Sequence, residues 1–271
     1  NKGDVLLEQN DLSGAMVAYG RVLTLQPDNV RAMLGKADAL RSNGIFNRAL
    51  PLYEKALQID RQNIRALLGS AEIQYSLDDC ESAKRLYDQV LYRDDKNAAA
   101  WAGRGNTLLC GKDYDLARQS YERALAIEPK NIAALLGMGD VLYERESYRD
   151  ALCYYEQATQ LSPSGHGYWG QGNSLAAQKE YNKSLPLFDR SLSLNPSDVD
   201  ALQGKGLALA ALGNISAAIK CFQEIISANP GDNAAWSNLG SMQASIGRYD
   251  EAAVSLEKAC LADSSHEEVW Y

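Results

Sequence analysis

The chain has 271 residues, of which 46% are hydrophobic and 23% are charged, and its formal net charge at pH 7 is −8. This acidic balance argues against nucleic acid or an anionic membrane surface as the main partner, because both carry negative charge. No apolar run approaches the roughly 18 residues of a membrane helix, and the N-terminus has no signal-peptide core, so we expect no membrane insertion.

Two short amphipathic helices and the turn between them recur along the chain with a period of 34 residues. In the copy that begins at Ala98, Trp101 and Gly105 lie on one face of the first helix, and Ala117 and Tyr121 lie on one face of the second. One pair of such helices cannot bury its apolar faces alone, so the copies are expected to stack on one another.

In chain order, the copies form a single predicted array over residues 1–271. A partial repeat at 1–29 is followed by complete repeats at 30–63, 64–97, 98–131, 132–164, 165–198, 199–232 and 233–266, and a further repeat starts at 267–271. Both ends divide a helix pair, so we expect a segment of a longer array. The repeat at 132–164 is one residue short in its closing turn, which is either a tolerated loop change or a bend in the array.

Several positions of the repeat keep their residue type, counting Ala98 as position 1. Position 8 is Gly or Ala in all complete repeats, and position 24 carries Tyr53, Tyr87, Tyr121, Tyr155, Phe188, Phe222 and Leu256. This pattern resembles the tetratricopeptide repeat family. The resemblance implies an all-α fold, a right-handed α-solenoid (a superhelix) of antiparallel helix-turn-helix repeats, whose concave groove commonly holds a peptide or protein segment.

The same resemblance implies that positions 2, 5, 6, 9, 12 and 13 of each first helix line this groove. The candidate peptide-binding residues are Arg31, Leu34, Asp38, Arg41, Arg65, Leu68, Glu72, Asn106, Leu136, Asp140, Tyr143, Trp169 and Asn173. An Asn side chain can bond both the N–H and the C=O of an extended peptide, although a solvated Asn is the equally simple interpretation for Asn106 and Asn173.

Position 6 is glycine in six successive complete repeats. Glycine inside a helix lowers stability by roughly 1 kcal/mol relative to Ala. Its recurrence therefore indicates that a larger side chain is excluded at this position. Two explanations stay open at this point: tight packing between helices, or close approach of a ligand backbone.

Charged groove residues suggest how a ligand would be oriented. Arg31 and Arg65 would attract its acidic part, whereas Asp140 and Glu144 would attract its basic part. Some members of the family bind a C-terminal carboxylate with an inward Lys. This chain has apolar residues at that position, so we do not expect that mode of binding here. The remaining carboxylates are interpreted as a solvated face.

The cysteines predict a reducing environment. Their number is odd, and no two are close in sequence: Cys80, Cys110, Cys153, Cys221 and Cys260. Reduced thiols are therefore expected rather than a disulfide framework, and the predicted location is cytoplasmic.

Nothing in the sequence recommends an enzyme. The two histidines, His166 and His266, have no partner at metal or catalytic-triad spacing, so no catalytic residue, metal or cofactor is predicted. The expected function is a non-catalytic scaffold or adaptor that binds an extended peptide or another protein. The alternatives are the substrate-recognition arm of a larger enzyme and a structural array that self-associates through its truncated ends.

Overall fold

The computed structural model describes the backbone of residues 2–267 and the side chains of residues 2–262. Residues 268–271 of the predicted further repeat and the side chain of His266 lie outside these described residues. The described part contains helices and no strand, so the predicted all-α fold is confirmed. The helices are α1 (Lys2–Glu8), α2 (Leu12–Leu25), α3 (Val30–Ser42), α4 (Phe46–Ile59), α5 (Ile64–Ser76), α6 (Cys80–Arg93), α7 (Ala98–Cys110), α8 (Tyr114–Ile127), α9 (Ile132–Glu144), α10 (Tyr148–Leu161), α11 (Gly165–Ala177), α12 (Tyr181–Leu194), α13 (Val199–Ala211), α14 (Ile215–Ala228), α15 (Asn233–Ser245) and α16 (Tyr249–Glu267).

Short polar side chains set the beginning of most helices. Asn97, for example, precedes α7, and its side-chain oxygen accepts a hydrogen bond of 2.9 Å from the backbone N–H of Ala100. That bond satisfies one of the free N–H groups at the helix end. The turn from a first helix to a second helix contains a residue with positive φ, such as Gly44 at 72° or Lys112 at 59°. This left-handed residue reverses the chain so that the two helices run antiparallel.

The chain forms two compact units, Asn1–Gly137 and Met138–Tyr271, and the boundary between them falls inside α9. Within the first unit, successive first helices contact one another: α1 with α3, α3 with α5, and α5 with α7. In the second unit α11 contacts α13 in the same way. Successive second helices make no comparable contact among the described residues, so the first helices lie on the inward side of each stack.

A buried aromatic ring at position 24 explains the glycines at position 6. The ring of Tyr53 is fully buried and lies against Gly69 in the next first helix. A Cβ atom on Gly69 would come closer than 3.0 Å to that ring, a separation that real Cβ atoms essentially never show. Tight packing between helices is therefore the correct explanation of the two. The same contact joins Tyr19 to Gly35, Tyr87 to Gly103, Tyr121 to Gly137, Tyr155 to Gly170, and Phe188 to Gly204.

The closing turn of the short repeat absorbs its missing residue. Helix α10 ends at Leu161 and α11 begins at Gly165, and the hydroxyl of Ser164 accepts a hydrogen bond of 3.2 Å from the N–H of Gly167. Helices α10 and α11 pack closely, as α2 and α3 do. The short turn therefore keeps the local packing of a full-length repeat, and the choice between a loop change and a bend stays a prediction.

The expectation of reduced thiols is wrong for one pair of cysteines. Cys80 at the start of α6 and Cys110 at the end of α7 are joined by a disulfide, with their Cα atoms 6.7 Å apart. The two residues are 30 apart in sequence, and only the packing of α6 against α7 brings them together. Cys153, Cys221 and Cys260 are free thiols.

Over the part of the chain that the structure describes, no helix combines the length and the apolar character needed to span a bilayer.

Candidate functional site

The candidate groove residues are divided between the two units. The first unit holds Arg31, Leu34, Asp38, Arg41, Arg65, Leu68, Glu72, Asn106 and Leu136, and the second holds Asp140, Tyr143, Trp169 and Asn173. The inward face of the first unit is formed by α1, α3, α5 and α7, and the inward face of the second by α11 and α13 with the end of α9.

On the first unit's inward face, each predicted arginine contacts a carboxylate. A guanidinium nitrogen of Arg31 lies 2.6 Å from an oxygen of Asp4, and Nε of Arg65 lies 2.6 Å from an oxygen of Asp38. Arg41 forms an ion pair with Glu72. These arginines are therefore already neutralised within the unit.

Buried tyrosines hold the same carboxylates. The hydroxyl of Tyr19 donates to Asp4, and the hydroxyl of Tyr53 donates to Asp38. Burial, together with the hydrogen bond to Asp4, raises the pKa of Tyr19 to about 12. The hydroxyl stays protonated at neutral pH and keeps its proton for the bond to Asp4, so the contact is structural.

The other predicted residues of the first unit are also partly used by the fold. The hydroxyl of Tyr121 donates a hydrogen bond of 2.8 Å to the side-chain oxygen of Asn106. Leu34 is only 5% exposed and belongs to the core, whereas Leu68 and Leu136 are half-buried. Few polar groups on this face are left for a ligand.

The second unit repeats the tyrosine–carboxylate contact with a histidine in place of arginine. The hydroxyl of Tyr155 donates to Oδ1 of Asp140 at 2.7 Å, and Nε2 of His166 lies 2.8 Å from the same oxygen. The sequence indicated no role for His166, because its partner lies 26 residues earlier in the chain.

Acidic side chains surround His166. Burial opposes the charge of its imidazole, but the hydrogen bond and the negative charge of Asp140 outweigh burial and raise the pKa of His166 above 6.5. The charges of Asp198 and Asp200 act in the same direction. Asp200 is exposed, and Glu144 at the end of α9 is also exposed. The second unit's inward face therefore carries more negative than positive charge.

Two neighbouring side chains on α11 have polar groups that the fold does not use. No hydrogen bond to Asn173 or to the indole N–H of Trp169 occurs among the described residues, although both side chains are half-buried. By contrast, the indole N–H groups of Trp101 and Trp236 donate to backbone carbonyls at 2.8 Å. Trp169 and Asn173 are four residues apart and share one helix face.

Aromatic rings complete this face. The ring centroids of His166 and Trp169 are 5.7 Å apart. Tyr143 is half-buried and packs edge-on against Tyr148, with their ring centroids 5.3 Å apart. Aromatic rings bordered by carboxylates suit a chain that carries both apolar and cationic groups.

The position-24 ring explains why Asn173 differs from Asn106. Asn106 bonds the hydroxyl of Tyr121, whereas the corresponding ring for Asn173 is Phe188, which has no hydroxyl. The tyrosine hydroxyl therefore uses the side-chain oxygen of Asn106, whereas the phenylalanine leaves Asn173 without such a bond. The relevant sequence pattern is a pair of residues 15 apart, Tyr with Asp or Asn, which sequence reasoning did not use.

Within the described residues, no group of three or more His, Cys, Asp or Glu side chains could hold a metal ion. The contact of His166 with Asp140 involves a single carboxylate, and the nearby aromatic rings offer no metal ligand. The arrangement is suited to hydrogen bonding and ion pairing.

Comparison with known proteins agrees with this architecture. Models of the tetratricopeptide repeat match residues 1–64, 136–199 and 204–267, and further models match residues 40–106 and 98–131. No curated relative matches the chain significantly.

Solved structures with similar folds share little sequence with this chain. A tetratricopeptide repeat protein from Parabacteroides merdae is 17% identical with a TM-score of 0.67, covering 89% of this chain and 96% of its own. The Cut9–Hcn1 hetero-tetramer of the APC/C is 20% identical with a TM-score of 0.70, and 94% of this chain matches 50% of that one. YrrB, described as having an unusual peptide-binding site, is 24% identical with a TM-score of 0.53, covering 67% of this chain and 94% of its own. These likenesses concern the fold, and together with the repeat models they show that the chain belongs to the tetratricopeptide repeat family.

Proposed function

We propose that this chain is a non-catalytic scaffold that binds an extended, basic peptide or protein segment on the inward face of its second unit. The family supports a role in protein interaction, and among its structural neighbours YrrB is described as peptide-binding and Cut9–Hcn1 is a protein assembly. The observation that carries the proposal is the pair of unused polar groups on Trp169 and Asn173.

An extended backbone needs donors and acceptors that are not already paired. The amide of Asn173 can accept from a peptide N–H and donate to a peptide C=O, and the indole of Trp169 can donate to a second C=O. Both lie on the same face of α11, so one peptide strand can meet both. The corresponding Asn106 already holds a tyrosine hydroxyl, which makes the first unit's face a poorer binding surface.

Charge decides the preferred sequence of the ligand. An acidic segment over Arg31 and Arg65 would have to displace Asp4 and Asp38 from existing ion pairs. A basic segment over Glu144 and Asp200 would lie beside Asp200, for which the part of the chain that the structure describes shows no hydrogen bond or ion pair that the segment would have to displace. We therefore favour a ligand with Lys or Arg side chains and at least one apolar side chain that packs on Trp169. Such partly wet charge pairs change orientation and association rate more than affinity.

Binding can be measured by fluorescence anisotropy with short labelled peptides that combine Lys or Arg with Leu, and with matched peptides that carry Glu instead. The basic peptides should bind and the acidic ones should not. Trp169→Ala should weaken binding by more than about 1 kcal/mol, because buried aromatic anchors dominate such interfaces. Trp169→Phe keeps the apolar ring and removes only the N–H, so it should cause a smaller loss.

Matched controls lie on other surfaces of the second unit. Tyr249 is 72% exposed at the start of α16, and Glu156 is exposed on α10, so Tyr249→Ala and Glu156→Gln should leave binding unchanged. Asp200→Asn should slow association and reduce its dependence on salt. Equal binding of basic and acidic peptides, or normal binding by Trp169→Ala, would show that the proposed face is not the site.

Protonation of His166 provides an independent test. A protonated imidazole offsets one negative charge on this face, so a basic ligand should bind more weakly as the pH falls from about 8 to about 5. His166→Gln should remove most of this pH dependence. A pH dependence that persists in His166→Gln would assign it to another group.

A further inference from the structure

We infer that Cys80 and Cys110 form a reversible thiol–disulfide site that controls how firmly α6 is joined to α7. This inference concerns the first unit and does not depend on the proposed binding function. It rests on where the two cysteines lie in the repeat, on their contact, and on the different exposure of their sulfur atoms.

Both cysteines depart from the repeat, and they do so at places that meet. Position 17 is aromatic or aliphatic in the other complete repeats, namely Phe46, Tyr114, Tyr148, Tyr181, Ile215 and Tyr249, and only the second complete repeat has Cys there. Position 13 is Ser, Ala or Glu in the other complete repeats and Cys only in the third. Two separate departures, in neighbouring repeats, thus produce one disulfide with Cα atoms 6.7 Å apart, within the usual range.

The disulfide strengthens the junction between α6 and α7, where the turn lacks the proline that several other turns of this chain have. The turn between α6 and α7 has Asp95 where the turns before α3, α9, α13 and α15 have proline. A proline there reduces the freedom of the unfolded chain. The disulfide restricts the unfolded chain in another way, because it closes the loop that contains α6, the turn and the whole of α7.

Accessibility makes this bond exchangeable. Cys110 is exposed and Cys80 is half-buried, so a thiolate from solvent can reach the sulfur of Cys110. A small dithiol reductant would attack Cys110, form a mixed disulfide with it and release Cys80 as a thiolate. The second thiol of the reductant would then attack the mixed disulfide and release Cys110. The protein gains two thiols, and the dithiol is oxidised to a cyclic disulfide.

The position of Cys80 favours this direction of attack. Cys80 is the first residue of the 14-residue helix α6, where free backbone N–H groups stabilise a negative charge. Its acidic neighbours have partners of their own: Asp79 accepts from the N–H of Ser82 at 3.0 Å, and Glu81 lies 3.8 Å from Arg85. Cys80 is therefore the better leaving group of the two sulfur atoms.

The first test counts thiols in the full chain, purified without reductant. After denaturation, iodoacetamide should modify three cysteines before treatment with dithiothreitol and all five after it, as read by intact mass. A peptide map should find the linked fragment that contains positions 80 and 110. Modification of all five cysteines without dithiothreitol would refute the bond.

The second test asks whether the bond controls the junction. Adding dithiothreitol to the folded chain should raise amide exchange in α6 and α7 by about tenfold or more, and should leave α3 and α4 unchanged. A small-molecule disulfide, such as oxidised dithiothreitol, should reverse the change.

Variants keep this test interpretable. Cys80→Ser with Cys110→Ser should exchange at the reduced rate with or without dithiothreitol. If that variant fails to fold, Cys80→Tyr with Cys110→Ser restores the aromatic residue that most repeats have at this position and serves the same purpose. Cys153→Ser, which removes an exposed thiol outside the pair, should behave as wild type. Unchanged exchange in wild-type α6 and α7 on reduction would overturn the inference even if the disulfide is present.

Discussion

Gly69→Ala tests the packing that joins neighbouring repeats. The Cβ that this substitution adds would lie closer than 3.0 Å to the ring of Tyr53, which is 0% exposed and also hydrogen-bonded to Asp38. Because the ring is held at both ends, it cannot move aside without breaking other contacts. Overpacking of this kind costs about 1–3 kcal/mol, whereas Ala gains about 1 kcal/mol over Gly as a helix former.

Gly20→Ala is the matched control, because Gly20 lies inside α2 and the nearest atom to a new Cβ would be Nζ of Lys36 at 3.7 Å. This variant should stabilise the protein by up to about 1 kcal/mol. Both variants gain the same helix propensity, so the difference between them measures the overpacking alone, about 1–3 kcal/mol.

Urea unfolding monitored by far-UV circular dichroism gives the free energies, and amide exchange locates the loss in α4 and α5, because such arrays lose stability between neighbours. Tyr53→Leu should remove part of the penalty of Gly69→Ala, seen as favourable coupling in a double-mutant cycle. Equal stabilisation by Gly69→Ala and Gly20→Ala would refute the packing argument.

Further predictions concern local contacts. Asn97→Ala removes the N-cap of α7 and should cost about 1 kcal/mol in urea unfolding, whereas Asn97→Ser should retain most of the stability. Lys112→Gly relieves a left-handed residue with φ of 59° and should stabilise by about 1 kcal/mol, a gain that Lys130→Gly at an exposed turn should not reproduce. Tyr155→Phe should lose about 1.5–3 kcal/mol, the range for a hydrogen bond to a carboxylate, here that of Asp140. The folded-state pKa of His166 lies above its ordinary value of 6.5, so its contribution to stability is fully present below about pH 6.5 and is lost as the pH rises through the folded-state pKa; this loss should be visible in urea midpoints and absent in His166→Gln.

The helices were predictable from the sequence because each one is determined by nearby residues. Asn97 begins α7 through a bond to Ala100 three residues on, and the apolar face of each helix repeats within two turns. The family resemblance was also accessible, since the residues that carry it are packing residues that recur at fixed positions. The six glycines showed that bulk is excluded, although only the structure showed that an aromatic ring occupies the space.

The side-chain partners could not be predicted, because they depend on how antiparallel helices meet. Tyr155 and Asp140 are 15 residues apart, and His166 is 26 residues from the same carboxylate. No helical periodicity links residues at such distances. Cys80 and Cys110 are 30 residues apart, so periodicity could not predict their disulfide either. The groove residues remain a prediction, but the contacts show which of them are already occupied and which, like Asn173, keep an unused polar group.

The most direct test of binding on the second unit's inward face is the indole N–H region of a ¹⁵N-labelled NMR spectrum, where each of the four tryptophans contributes one signal. Trp169→Phe identifies the signal of Trp169. Titration with the basic peptide that binds most tightly in the anisotropy assay should shift this signal saturably, because a ligand carbonyl accepts from its unused N–H. The signals of Trp101 and Trp236 should stay in place, since their N–H groups already donate to backbone carbonyls. A bound peptide that leaves the Trp169 signal unmoved, or that moves the signals of Trp101 or Trp236 instead, would contradict the proposed site.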